Sequence, residues 1–155
     1  RTRLKELYGF HGGELESVYG KVKSSYERCD REAKAVHTRI GAMEDLAKSM
    51  FSEWEKELQQ YSNPSLAATS REQLRLTQER YSQLSRTVLA AEASMQPVLS
   101  QLKDNVLFLK HNLNASAIGS LQGEAASIQK QIEELLTRMN ASIAASDKFI
   151  QSLPK

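Results

Sequence analysis

From Glu14 onward, apolar and small residues recur at alternating steps of three and four: Leu15, Val18, Val22, Ser25, Cys29, Ala33, Val36, Ile40, Met43, Ala47, Met50 and Trp54, with Tyr61 two steps on. Charged side chains fill the positions between. Only an α-helix puts such positions on one face, because 3.6 residues make a turn. The run lasts about six heptads, which calls for coiled-coil-like packing against other helices. A helix over 14–61 is about 70 Å long at 1.5 Å per residue. Glu14 and Glu16 at its start suit the positive end of the helix dipole. A face that long has to be covered, and two further stripes in the chain match it.

Ser62-Asn63-Pro64-Ser65 ends the first helix, since proline cannot continue it and pushes Asn63 out of the helical region. The next helix starts at Pro64-Ser65 or, with a capping box of Ser70 and Gln73, at Thr69 or Ser70. Its stripe is Leu74, Thr77, Tyr81, Leu84, Val88, Ala91, Met95, Val98, Leu102, Asn105 or Val106, Leu109 and Leu113. Pro97 lies inside it, but the stripe keeps its phase, so the expectation is a kink and not a reversal. Asn112 to Asn114 form the next turn, with Asn114 as N-cap. The third stripe is Ile118, Leu121, Ala125, Ile128, Ile132, Leu135, Met139, Ser142, Ser146 and Phe149, and Pro154 closes it.

The expected fold is all-α: one domain over 1–155, a long antiparallel three-helix bundle with helices at about 14–61, 65–112 and 115–153. Leu4, Leu7 and Tyr8 share a face, and Gly9, Gly12 and Gly13 follow, so 1–8 reads as the remnant of a fourth, N-terminal helix broken by glycine. The Gly-Gly pair is no phosphate cradle, as no Lys-Ser/Thr follows it at the required spacing. The small side chains Ala115, Ser116, Ala117, Gly119, Ser120 and Gly123 are expected to pack against the bulky Val18, Tyr19, Val22 and Tyr26.

Composition narrows the function. The chain holds 21 basic and 19 acidic residues, a net charge of +2, and no segment is lopsided enough to predict nucleic-acid binding or a strong direct lipid contact. The single cysteine, Cys29, excludes an internal disulfide and a thiolate-rich metal site, and its place in the first stripe makes it a packing residue. No apolar run reaches the roughly 20 residues that span a bilayer. The start at Arg-Thr-Arg, without methionine, is expected of a processed chain.

A di-iron bundle needs Glu-x-x-His, but Lys34 and Phe108 precede His37 and His111 at that spacing. The carboxylate clusters Glu44-Asp45, Glu53-Glu55-Glu57 and Glu133-Glu134 fall on outward positions, where acid–base chemistry has no shielded cleft. The chain is therefore expected not to be an enzyme and to use no cofactor, with no small-molecule substrate evident. Met43, Met50, Met95 and Met139 all lie on the stripes and read as core.

Some apolar residues lie off the stripes: Leu76, Leu89, Leu107 and, beside its stripe, Phe108. Leu107 and Phe108 adjoin near a bundle end, with His111 one turn on. Either an upstream helix covers them, or they form a surface for a protein partner or for self-association.

Three strings resemble a bacterial family of unknown function: Gly12-Gly13-Glu14-Leu15-Glu16, Phe51-Ser52-Glu53-Trp54-Glu55-Lys56-Glu57-Leu58 with Tyr61-Ser62-Asn63, and Val106-Leu107-Phe108-Leu109-Lys110-His111-Asn112-Leu113-Asn114-Ala115 with Ser120-Leu121-Gln122-Gly123-Glu124. The family's members are small, helix-rich and exported or lipoprotein-like. The resemblance covers about 12–153 and implies a periplasmic or envelope-associated protein, with no reaction, cofactor or catalytic residue to carry over. Two functions follow as expectations: a non-catalytic structural or protein-interaction bundle of the cell envelope, or a peripheral, membrane-stress bundle that assembles on lipid.

Overall fold

A computed structural model describes the backbone over residues 2–113 and 118–153 and the side chains over 16–113 and 123–153. The protein is all-α, with three helices packed against one another: α1 (Thr2–Leu58), α2 (Pro64–His111) and α3 (Ile118–Ser152). The side chains of Ala115, Ser116, Ala117 and Ser120, and their expected packing on the start of α1, lie outside the described residues. Gly123 is described: it is exposed, with open space where a Cβ would stand, so close helix approach is not what its size serves.

The expected glycine break does not occur. α1 runs through Gly9, Gly12 and Gly13, so residues 2–8 are its own first turns and not a separate helix. A glycine stop uses a left-handed residue, and no described glycine has a positive φ. Glycine inside a helix costs about 1 kcal/mol relative to alanine, which weakens a long helix without ending it.

α1 ends at Leu58, so Tyr61, placed on the stripe by spacing, is exposed in the loop. α2 starts at Pro64, not at Thr69 or Ser70. Asn63 Oδ1 accepts the amides of Ser65 at 2.9 Å and Leu66 at 3.2 Å, and its carbonyl accepts Ala67 N at 3.1 Å. Asparagine as N-cap with proline at the first helical position outweighs the capping box, because both local preferences act together. That frees Ser70 for the core face, where it is buried and accepts the Trp54 indole N–H at 2.8 Å. α2 continues unbroken through Pro97.

The described residues form two compact units. One comprises 2–33, 94–113 and 118–138. Its core is Val22, Cys29 and Ala33 from α1, Met95, Leu99, Leu102, Val106 and Leu109 from α2, and Ala125, Ile128, Ile132 and Leu135 from α3. Leu99, rather than the expected Val98, is the buried residue after Pro97. Arg138 of α3 donates to the Ser94 hydroxyl of α2 at the unit's edge.

The other unit comprises 34–93 and 139–153. Val36, Ile40, Met43 and Ala47 pack with Leu74, Val88, Met139 and the small Ser142 and Ser146. The Ser146 hydroxyl donates to the Ser142 carbonyl at 3.0 Å and so enters the core satisfied. As the α1 partner moves back from Trp54 through Phe51 to His37, the α2 partner moves forward from Ser70 through Tyr81 to Glu92. Within this unit α1 and α2 are therefore antiparallel. Arg39 and Asp147 pair at 3.6 Å and join α1 to α3.

Cys29 is fully buried, carries no disulfide, and its thiol is pushed up from the ordinary 9.0 to about 11, by burial first and by Asp30 and Glu32 next. Tyr26 is raised too, by burial and then by Asp30. In both groups the folded state disfavours the anion. Stability from Cys29 is full below pH 9.0 and is lost as pH rises towards about 11. Thermal melts should show Tm falling across that window, with a shallower fall in Cys29→Ala; equal slopes in the two proteins would remove Cys29 as a cause.

Candidate functional site

The three residues singled out by sequence, Leu107, Phe108 and His111, lie in the last turns of α2 and all are exposed. Helix geometry makes them neighbours, since 107 and 111 are four apart and 108 and 111 three apart. Leu107 is 49% exposed and Phe108 55%, while the adjacent Val106 and Leu109 are 6% and 1% exposed. The helix thus turns one apolar pair into the core and presents the next pair outward. Leu107 and Phe108 each leave about half of their surface open.

The end of α2 is held firmly at this point. The Phe108 carbonyl accepts both the backbone amide of Asn112 at 3.1 Å and its side-chain amide at 2.8 Å. Asn112 N also reaches the Leu109 carbonyl at 3.3 Å. A shared N–H of this kind tightens a last turn, and the side-chain amide adds a second donor to the same carbonyl. Phe108 is therefore presented from a fixed backbone. Asp104 and Lys110 are exposed beside the pair, so its rim carries both signs of charge.

The other exposed apolar residues are more scattered. Leu76 and Leu89, expected off the stripe, are 39% and 41% exposed, and the structure adds Leu46 and Leu66. Singly exposed leucines are ordinary on a protein surface. What distinguishes Leu107 and Phe108 is adjacency.

The carboxylate clusters Glu44-Asp45, Glu53-Glu55-Glu57 and Glu133-Glu134 are all exposed. Among the described residues no three His, Cys, Asp or Glu side chains gather as a metal site would require. No helix, among the described residues, is long and apolar enough to cross a membrane. His37 Nδ1 is 3.1 Å from Glu92 Oε2, an α1–α2 pair that sequence spacing gave no means to match.

No curated protein and no solved structure matches the chain. The model of the family described as Protein of unknown function (DUF2959) matches residues 2–153, and the chain belongs to that family.

Proposed function

We propose that the chain is a non-catalytic protein-interaction bundle of the bacterial cell envelope, docking an apolar helical segment of a protein partner on Leu107, Phe108 and His111. The observation that carries this reading is the adjacent exposure of Leu107 and Phe108 on a capped helix end. Large apolar side chains set side by side, with a polar rim, are the usual core of a docking patch. The envelope placement rests on the resemblance of the Val106–Ala115 string to exported, lipoprotein-like proteins. The exposed, solvated setting of the carboxylate clusters supports a non-catalytic role.

The test is the pair Leu107→Glu with Phe108→Ser. Because both side chains are exposed, the double variant should keep its stability to within about 0.5 kcal/mol per site. It should lose the partner that the tagged native protein retains from an envelope extract. A fall in mass by light scattering would make the occupant a second copy. Co-flotation of the native protein with anionic liposomes, lost in the double variant, would replace the protein partner by a lipid surface. A large drop in Tm with no change in mass or capture would put both side chains in a core and sink the proposal.

A further inference from the structure

The unit of residues 34–93 and 139–153 carries a cleft remote in sequence from the α2 end. It has a volume of about 260 Å³ and is lined by Trp54 of α1, Thr77 and Arg80 of α2, and Phe149, Ser152 and Leu153 of α3. Both aromatic walls are fixed from behind. The Trp54 indole N–H is committed to the buried Ser70 hydroxyl at 2.8 Å. The Phe149 ring lies 5.1 Å from that of Tyr81, which meets Phe51 edge-on at 5.7 Å.

The polar groups of the lining divide sharply. The Thr77 hydroxyl donates to the Gln73 carbonyl at 2.8 Å and the Ser152 hydroxyl to the Phe149 carbonyl at 2.7 Å. Their protons are used, so they show the cleft only lone pairs. The guanidinium of Arg80 is the charged donor of the lining, no carboxylate lines it, and among the described residues Arg80 has no acceptor. Arg75 on the same helix differs, since it is held between Glu72 at 2.7 Å and Glu79 at 3.3 Å.

We infer that this cleft binds a small aromatic monocarboxylate, its ring between Trp54 and Phe149 and its carboxylate on Arg80. Two aromatic walls favour a flat ring. A planar guanidinium matches a carboxylate in a two-bond fork. The volume is below the roughly 300–1,000 Å³ of ordinary ligand pockets, which limits the ligand to one ring with a short acid tail. The lone pairs of Thr77 and Ser152 disfavour a second negative charge, so a phosphate is a poorer fit.

Trp54 is the chain's single tryptophan, so its fluorescence reads the cleft directly. The full chain is titrated with 3-phenylpropionate, and in parallel with the neutral 3-phenylpropanamide. A saturable change is expected with the acid. Losing one charge-assisted hydrogen bond weakens binding by about tenfold or more, which is the effect expected both of the amide and of Arg80→Gln. Arg75→Gln, outside the cleft, should bind as the native chain does. A response that stays linear in the acid overturns the inference. So does equal affinity for acid and amide, a comparison that needs no variant, or equal affinity of the native and Arg80→Gln proteins when both show the same melt.

Discussion

Met43→Ala and Leu102→Ala should each lower the free energy of unfolding by about 2–5 kcal/mol, the range for truncating a large buried side chain. Both side chains are 0% exposed and belong to different units, Leu102 with the core of 94–113 and Met43 with that of 34–93. The cost has a transfer part, fixed by the atoms removed, and a cavity part, fixed by how far the surroundings can relax. Around Leu102 the core offers long side chains, among them Leu99, Leu109, Ile132 and Leu135, which can shift to fill space. The core containing Met43 is built partly of Ala47, Ser142 and Ser146, which have little reach. Met43→Ala should therefore fall towards the upper end of the range and Leu102→Ala towards the lower. Urea unfolding followed by helical circular dichroism measures both, with Leu107→Ala as the exposed control, expected within about 0.5 kcal/mol of native. A loss under 1 kcal/mol at Met43 would contradict its place in a packed core.

The buried faces were legible in the sequence because a helix imposes its own period on its side chains. Ala125, Ile128, Ile132, Leu135, Met139, Ser142 and Ser146, read at steps of three and four, are all buried. So are Val22, Cys29, Ala33, Val36, Ile40, Met43 and Ala47. The two serines follow the period although they are polar, and the Ser146 hydroxyl meets its need by bonding back to the Ser142 carbonyl of its own helix. The exposed pair Leu107 and Phe108 was legible for the converse reason, as apolar residues out of phase.

Local signals compete at two places in the chain, and at the first the expected stop does not form. Gly9, Gly12 and Gly13 tolerate a helix as well as a stop. At the start of α2 two caps were open, and Asn63-Pro64 took it close to the expected residue 65, leaving Ser70 in phase with Leu74. What stays hidden in one dimension is the register between helices. His37 with Glu92, Arg39 with Asp147, and the cleft shared by Trp54, Arg80 and Phe149 all depend on how far one helix slides along another. A heptad pattern fits equally well after a slide of one heptad, so it names faces and not partners.

Pro97→Ala should stabilise the protein, an uncommon direction for a substitution. α2 is helical on both sides of Pro97, so the proline removes one backbone hydrogen bond, the one its missing N–H would give to the Ala93 carbonyl, and crowds that carbonyl. In a helix interior this costs about 3 kcal/mol relative to alanine. Against it stands the stiffness proline gives the unfolded chain, worth about 0.4–1 kcal/mol. Pro97 and Ala93 are both exposed, so water already solvates that side of the helix and part of the cost is relieved in the native protein. The net gain expected is about 1–2 kcal/mol, read as a higher denaturant midpoint with an unchanged slope. The sign carries the information. Met95 and Leu99 flank Pro97 and are both buried, and a spacing of four between them, where three was expected, places the change of step across the proline. If Pro97→Ala is destabilising instead, a straight α2 cannot seat both residues, and the proline sets the path that brings Leu99, rather than Val98, into the core.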